Sequence, residues 1–142
     1  MPPQSVDAQP AALHRDCVVC GPTHPFGLKL EFEVLQPGHV RAKTRLDALW
    51  NGYPSFVHGG VSAAMLDGAM TRALFSMEVA AVTASLNLRY HQPVRNDLVI
   101  EVEARHLATH HGLYLLEASI YQGRQLCVEA EAKFMKTPEL GI

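Results

Sequence analysis

The sequence predicts an α+β fold in which a curved antiparallel sheet of about six strands wraps around one long central helix. Two observations carry this prediction. Six segments alternate apolar and polar residues, which is the period of a strand with one buried face, while one segment in the middle of the chain is apolar on nearly every side. A helix without a polar face must be covered all around, and a one-faced sheet covers it by curling.

The first two alternating segments predict a hairpin. The segment LKLEFEVL, residues 28–35, and the segment HVRAKTRL, residues 39–46, each alternate apolar or small residues with charged ones. Pro37 and Gly38 lie between them, and such a pair is typical of a tight turn. The fold therefore begins with two neighbouring antiparallel strands.

The central segment predicts a helix from Gly60 to about Met77. Apolar and small residues occupy most of its positions, so it belongs inside the protein. Its polar interruptions are Ser62, Asp67, Thr71, Arg72 and Ser76.

Four further strands follow the helix and complete the antiparallel sheet. They are VTASLNLRY at 82–90, DLVIEVEARHL at 97–107, LYLLEASIY at 113–121 and QLCVEAEAKFM at 125–135. Short segments with turn-forming residues separate them, as expected for neighbouring antiparallel strands.

Composition limits the classes of function. The chain has 142 residues, of which 48% are hydrophobic and 18% charged, and a net charge of −2, as expected for one globular domain with its own core. No basic cluster suggests nucleic acid or an anionic membrane as a partner. No segment resembles a signal peptide or a membrane span, and three cysteines are more typical of reduced thiols than of a disulfide framework. We expect a cytoplasmic protein with a flexible arm over residues 1–16 and one domain over residues 17–142.

The stretch FVHGGVSAAMLDGAM, residues 56–70, combines a helix start with a carboxylate inside an apolar helix. The first turn of a helix has unpaired N–H groups and the positive end of the dipole, and Gly59 and Gly60 let a ligand approach this backbone closely. A carbonyl placed there would be polarised. Burying Asp67 without a partner is costly, so we expect a functional role, although a structural pair with Arg72 would also account for it.

Three motifs together resemble the hotdog-fold thioesterases, in particular the group related to the phenylacetate-pathway acyl-CoA thioesterase. They are CVVCGPTHPFGLKLEF near the start, the VHGG just described with Asp67 nine positions after His58, and SLNLRYHQPV after the helix. The resemblance extends from Cys17 to about Lys136. It implies hydrolysis of an acyl-CoA to free acid and CoA without a metal or organic cofactor.

The resemblance also implies roles for individual residues. Asp67 would activate water as a base or attack directly as a nucleophile, and the sequence leaves both alternatives open. His58 would donate a hydrogen bond or orient the thioester at the helix start. Thr83 matches a Ser or Thr that holds the attacking water in relatives, but it could also be an ordinary strand residue. Asn51 lies where some relatives place an Asn or Gln near the thioester.

Three cationic or titratable side chains are candidates for binding the phosphates of CoA: Arg89, His91 and Arg95. Flexible cations at the mouth of a cleft suit a phosphate ligand. A solvated polar face would account for their pattern equally well.

Cys17 and Cys20, with His24 nearby, look like half of a zinc site. A structural zinc needs four ligands, and no second Cys or His pair follows at a suitable spacing. The resemblance implies a different role for the motif, because C-x-x-C-G occurs in this thioesterase group as a packed turn. We therefore expect no metal.

Helix geometry predicts that the active site is shared between two subunits. Gly59 and Asp67 are eight positions apart, which places them roughly 12 Å apart along the axis at about 1.5 Å per residue. Asp67 could instead face the N-terminus of an identical antiparallel helix across a two-fold axis. The resemblance agrees, since hotdog thioesterases are typically dimers or tetramers built from such dimers. Two other functions stay open: a hotdog dehydratase or hydratase, and a noncatalytic acyl-CoA binding or sensing module.

Overall fold

The computed structural model describes residues 12–140, so most of the predicted arm over residues 1–16 lies outside the described residues. Its described end is hydrogen-bonded to the residues that follow. The N–H of Cys17 donates to the carbonyl of His14 and the N–H of Thr23 donates to that of Arg15, both at 3.1 Å. The domain boundary at residue 17 stays a prediction.

One long helix and one six-stranded sheet make up the described fold. The elements are β1 (Glu33–Gln36), β2 (His39–Thr44), a 3₁₀ turn (Ala48–Trp50), α1 (Gly59–Phe75), β3 (Val82–Tyr90), β4 (Ile100–His110), β5 (Leu113–Gln122), β6 (Gln125–Met135) and a second 3₁₀ turn (Pro138–Leu140). The strand order is β1-β2-β4-β5-β6-β3, and every neighbouring pair is antiparallel. The predicted fold class, a hotdog with six strands around one helix, is confirmed.

Helix α1 forms the centre of the core. Its fully buried side chains include Met65, Leu66, Met70 and Leu74, and burial of each such side chain contributes about 1.5–3 kcal/mol. The curved sheet covers these residues, as predicted from the lack of a polar face. No helix among the described residues has the length and apolar character that a membrane span requires.

The first strand is shorter than the sequence predicts. Residues 28–30 pair with the preceding loop instead of extending β1, because the N–H of Leu28 donates to Val18 at 2.8 Å and that of Leu30 donates to Val19 at 2.9 Å. Lys29 has a φ of 53°, which interrupts the extended backbone between the two bonds. The alternating pattern therefore begins before the true start of the strand.

Strand β3 is an edge strand with little cover. It pairs only with β6, and Leu88 is the single residue of its nine that is not exposed in the described chain. A long exposed edge is a surface that proteins normally protect or pair. Helix α1 lies behind this edge and holds both candidate regions of the site.

Candidate active site

The N-terminus of helix α1 is capped by the side chain of His58. Its Nδ1 atom accepts a hydrogen bond from the N–H of Gly60 at 2.8 Å, and the backbone N–H of His58 donates to the carbonyl of Trp50 at 2.8 Å. Because Nδ1 accepts, the neutral imidazole carries its proton on Nε2 and can donate a hydrogen bond there. The cap therefore fixes both the ring and its tautomer.

The same cap changes which backbone groups remain for a ligand. The sequence suggested the N–H groups of both Gly59 and Gly60, but His58 occupies that of Gly60. The N–H groups of Val61 and Ser62 donate to the carbonyl of His58. Among residues 12–140, the N–H of Gly59 has no acceptor, so Gly59 and the Nε2–H of His58 are the donors available at this end.

Gly59 and Gly60 lack a side chain for different steric reasons. A Cβ on Gly60 would lie 3.0 Å from Nδ1 of His58, so a side chain there pushes against the capping ring. A Cβ on Gly59 would lie 3.4 Å from the Tyr90 ring, which is ordinary van der Waals contact. Gly60 therefore leaves room for the capping ring, while Gly59 leaves the approach to its N–H open.

Tyr90 ties strand β3 to this end of the helix. Its hydroxyl donates a hydrogen bond of 2.7 Å to the carbonyl of Gly59, and burial raises the pKa of the hydroxyl above its ordinary value. Tyr90 is not among the site residues predicted from the sequence. The signal was available, because Tyr90 follows Leu88 by two positions and so shares its helix-facing side of the strand.

A cavity of about 680 Å³ opens at the helix N-terminus. This volume lies in the range of small-molecule binding sites. Its lining is mostly apolar and aromatic, with His58, Gly59 and Ser62 as the contribution of the helix end. Lining residues outside the helix end include Tyr53, Phe56, Tyr90, His91, Pro93 and Val128.

Asn51 lies next to the cavity but is not one of its lining residues. It forms an isolated β-bridge with Val57, and the next residue, Gly52, lines the cavity. Its Oδ1 atom is buried without a hydrogen-bond partner among the described residues. Buried polar atoms are rarely left unpaired, so this amide is a natural contact for a bound water or ligand.

Asp67 lies two turns further along helix α1 and meets Thr83 of β3. The hydroxyl of Thr83 donates to Oδ1 of Asp67 at 2.6 Å. Within residues 12–140, Oδ2 has no hydrogen-bond partner and neither oxygen is paired with Arg72, whose guanidinium lies over the Phe75 ring. The carboxylate is thus oriented through one oxygen and available through the other.

Within one chain, the two halves of the site do not meet. Gly59 and Asp67 belong to the same uninterrupted helix, which separates them by roughly 12 Å along the axis. Asp67 does not line the cavity at the helix start. It lies instead beside β3, the exposed edge of the sheet.

The three candidates for CoA binding occupy different places. His91 lines the cavity, and its Nε2 atom lies 3.1 Å from Oε1 of Glu129. The backbone of Arg95 forms an isolated β-bridge with Phe56, which lines the cavity. Arg89 neighbours the helix-facing Tyr90, so its side chain lies on the opposite face of the sheet, in a shallow groove with Glu129 and other acidic residues.

Arg95 also carries an ion pair of its own. Its guanidinium contacts the carboxylate of Asp97 through two bonds of 2.9 and 2.8 Å. The hydrogen bond and charge of Asp97 raise the pKa of Arg95, and Arg95 in turn lowers the pKa of Asp97. A phosphate at this position would have to compete with an exposed carboxylate, and exposed pairs of this kind are weak.

A cluster of potential metal ligands lies away from this site. The ligand atoms of His14, Cys17 and Cys20 are within 4.8 Å of one another, while His24, which the sequence suggested, is not among them and instead accepts a hydrogen bond from the N–H of Phe26. Burial raises the pKa of the Cys20 thiol to about 12. Burial, followed by the charge of Arg72, lowers the pKa of His14.

Solved structures with the same fold are numerous. One of them, a thioesterase superfamily protein, is 29% identical to this chain and superposes on it with a TM-score of 0.81. The match covers 86% of this chain but only 61% of the length of that protein. Zebra fish thioesterase superfamily member 2 has 17% identity and a TM-score of 0.74, covering 86% of this chain and 92% of its own.

A third neighbour was solved with a ligand. It is a hypothetical thioesterase from Streptococcus pneumoniae with coenzyme A, at 18% identity and a TM-score of 0.71, with coverage of 76% of this chain and 85% of its own. That protein was also solved as two variants in which an Asp and a Thr sixteen positions apart were each replaced by Ala.

Sequence comparison identifies the family. No curated protein matches this chain in sequence. The family model described as the thioesterase superfamily matches residues 55–127, just over half of the chain, and this range includes the helix start, Asp67 and Thr83. The chain belongs to the thioesterase superfamily.

Proposed function

We propose that this protein hydrolyses an acyl-CoA thioester to a free carboxylic acid and CoA. The observation that carries the proposal is the Asp67–Thr83 pair, in which one carboxylate oxygen is held at 2.6 Å and the other is free among the described residues. The same Asp–Thr separation of sixteen positions occurs in the pair that was replaced in the pneumococcal neighbour. Membership of the thioesterase superfamily supports this chemistry.

The helix start would bind and polarise the thioester carbonyl. The free N–H of Gly59 and the Nε2–H of His58 are the donors at this end, and the oxyanion formed on attack carries the charge that they would stabilise. Because His58 and Gly60 are already joined by a hydrogen bond, the donors need little rearrangement when the charge develops. Tyr90 would hold the first turn in place through the Gly59 carbonyl.

Asp67 would supply the attacking group. As a general base, its free oxygen takes a proton from water while the water oxygen bonds to the thioester carbon. The tetrahedral intermediate then expels the CoA sulfur, which receives the proton from Asp67. As a nucleophile, Asp67 would attack the thioester carbon and expel the CoA thiolate, which gives a mixed anhydride; water then hydrolyses the anhydride to the free acid and restores the carboxylate. Thr83 positions the carboxylate in both alternatives.

The proposed active site is composite, with His58 and Gly59 from one subunit and Asp67 and Thr83 from another. The separation along α1 excludes an attack by Asp67 on a carbonyl held at its own helix start. The exposed edge strand β3, beside Asp67, is where a second copy would complete the site. A homodimer, or a tetramer built from two such dimers, therefore follows from this proposal.

CoA is the proposed leaving group because a neighbour of the same fold was solved with coenzyme A. Two candidates would contact the CoA phosphates from the same chain as His58. They are His91, which lines the cavity, and Arg95, whose backbone forms a β-bridge with Phe56. Arg89 would contact CoA only from another part of the assembly. The phenylacetate-pathway group remains the proposed subgroup, on the CVVCG and SLNLRY motifs.

A thiol-release assay with a panel of acyl-CoAs of several chain lengths and aryl groups tests the proposal. We expect turnover by the wild-type chain and its near loss in Asp67→Asn. Glu117→Gln is the matched control, because Glu117 lies in the shallow groove on the other face of the sheet. Tight acyl-CoA binding without turnover would instead indicate a noncatalytic binding module.

A further inference from the structure

We propose that His14, Cys17 and Cys20 form a binding site for one zinc ion. The Sγ atom of Cys20 lies 3.8 Å from Nδ1 of His14, and all three ligand atoms are within 4.8 Å of one another. Ligand atoms on one tetrahedral zinc lie roughly 3.5–3.8 Å apart, given Zn–S and Zn–N bonds of about 2.3 and 2.0 Å. The cluster therefore needs to contract by about 1.3 Å at most to enclose the ion.

The loop between the two cysteines is already folded in a way that suits metal binding. The N–H of Val19 donates to Sγ of Cys17 at 3.4 Å, and the N–H of Gly21 donates to the carbonyl of Cys17 at 2.9 Å. A Cβ on Gly21 would lie 2.3 Å from the Cys17 nitrogen, so only glycine lets the chain turn back so tightly. Hydrogen bonds to ligand sulfurs orient them and tune the metal site.

Packing on helix α1 fixes this loop and the third ligand. The His14 ring meets the Phe75 ring edge-on, with ring centroids 4.8 Å apart. A Cβ on Gly68 would lie 2.5 Å from Cγ1 of Val19, so the loop sits directly against the helix at this point. His14 and the loop that carries the two cysteines are thus held in place before any ion binds.

The ligand types favour zinc over a disulfide. Two thiolates and one imidazole form a nitrogen and sulfur set that zinc prefers. Nδ1 of His14 forms a hydrogen-bond contact with Sγ of Cys20 in the free-thiol chain; a Cys17–Cys20 disulfide would use both sulfurs and leave that nitrogen without a partner among the described residues, whereas zinc would bind all three atoms. The chain supplies three ligands, and because His14 and Cys17 are both partly exposed, water would complete the tetrahedral set as the fourth ligand.

The sequence alone pointed away from a metal because no second Cys or His pair follows the motif at a suitable spacing and the nearby histidine of the motif is His24. His14 lies on the other side of Cys17, three residues earlier, and the fold brings it back onto Cys20. The ion would cross-link His14 to the loop of Cys17 and Cys20, whose Val19 packs against helix α1 at Gly68. We therefore assign it a stabilising role, independent of the proposed hydrolysis.

Metal uptake by the reduced, chelator-treated full chain tests this site. We expect one cobalt ion per chain, with a thiolate-to-cobalt charge-transfer band and tetrahedral d–d bands, and displacement of cobalt by one equivalent of zinc. Zinc should also raise the melting temperature of the protein. A chain that takes up no cobalt or zinc, or that shows octahedral bands without a thiolate band, would overturn the proposal.

Variants identify the ligands. Cys17→Ser and His14→Gln should each weaken zinc binding by at least about a hundredfold and abolish the zinc-dependent rise in melting temperature. Cys127→Ser is the matched control, since Cys127 is a buried free cysteine outside the cluster, and it should bind zinc like the wild type. Equal affinity in Cys17→Ser or His14→Gln and in the control would overturn the assignment. Loss of thioester hydrolysis has no bearing on this result.

Discussion

The two halves of the candidate site differ in how far a single chain completes them. The helix start is finished within one chain, since His58 caps the first turn, Tyr90 holds the Gly59 carbonyl and a cavity lies in front of them. The region of Asp67 has one orienting contact within residues 12–140, from Thr83, and lies beside the exposed strand β3. On the proposed mechanism, the binding half therefore belongs to one subunit, while the attacking half is built to be covered by a second.

The largest expected effect comes from removing the attacking group. Asp67→Asn keeps the shape of the side chain and its contact with Thr83 but removes the charge, so we expect a loss of about a hundredfold or more in kcat. The binding half should be untouched, with KM and melting temperature near those of the wild type. A folded Asp67→Asn protein that keeps most of its activity would remove Asp67 from the chemistry.

The binding half can be disturbed without touching a polar group. Gly60→Ala places a Cβ 3.0 Å from Nδ1 of His58, so the capping ring must shift by a few tenths of an ångström and its Nε2–H moves with it. We expect a fall in kcat of roughly tenfold with a melting temperature that is unchanged or higher, because Ala is the better helix former by about 1 kcal/mol. Wild-type activity in this variant would show that the cap has no part in catalysis.

Thr83 tests the attacking half through its orientation. Thr83→Val keeps the volume but removes the donor to Asp67, and we expect kcat to fall by about tenfold, as when one positioning hydrogen bond of about 1.5 kcal/mol is lost. Thr83→Ser keeps a hydroxyl and should recover most of the rate. Equal rates for Val and Ser would mean that the 2.6 Å contact does not matter to the reaction.

The smallest expected effect concerns CoA. Arg95→Gln should raise KM by about threefold with little change in kcat, because phosphate contacts are made in both ground and transition states. A pantetheine thioester, which lacks the nucleotide, should show no such change. Arg89→Gln is the comparison variant, and a similar rise in its KM would show that the outer face of the sheet belongs to the CoA site of the assembly. Equal losses of activity on acyl-CoA and on the pantetheine thioester would exclude both arginines from that site.

The sequence predicted the fold well and the site in part. Alternation and the all-apolar helix were enough for the strands and the central helix, because both patterns report burial directly. They misplaced the start of the first strand, since the left-handed backbone at Lys29 leaves no mark in an alternating pattern. Two-residue spacing from Leu88 places Tyr90 on the helix-facing side of β3, but its contact with Gly59 and the use of the Gly60 N–H by His58 also depend on side-chain rotamers, which spacing does not fix.

Mixed dimers test the central claim, that one active site takes its two halves from two chains. Chains carrying His58→Ala and Asp67→Asn are co-expressed with different tags, and dimers containing one of each are purified. One composite site then keeps both native residues and the other has neither, so purified mixed dimers should show about half of wild-type activity, and random pairing about a quarter. Mixed dimers as inactive as either parent would contradict the account, because the site would then lie within one chain.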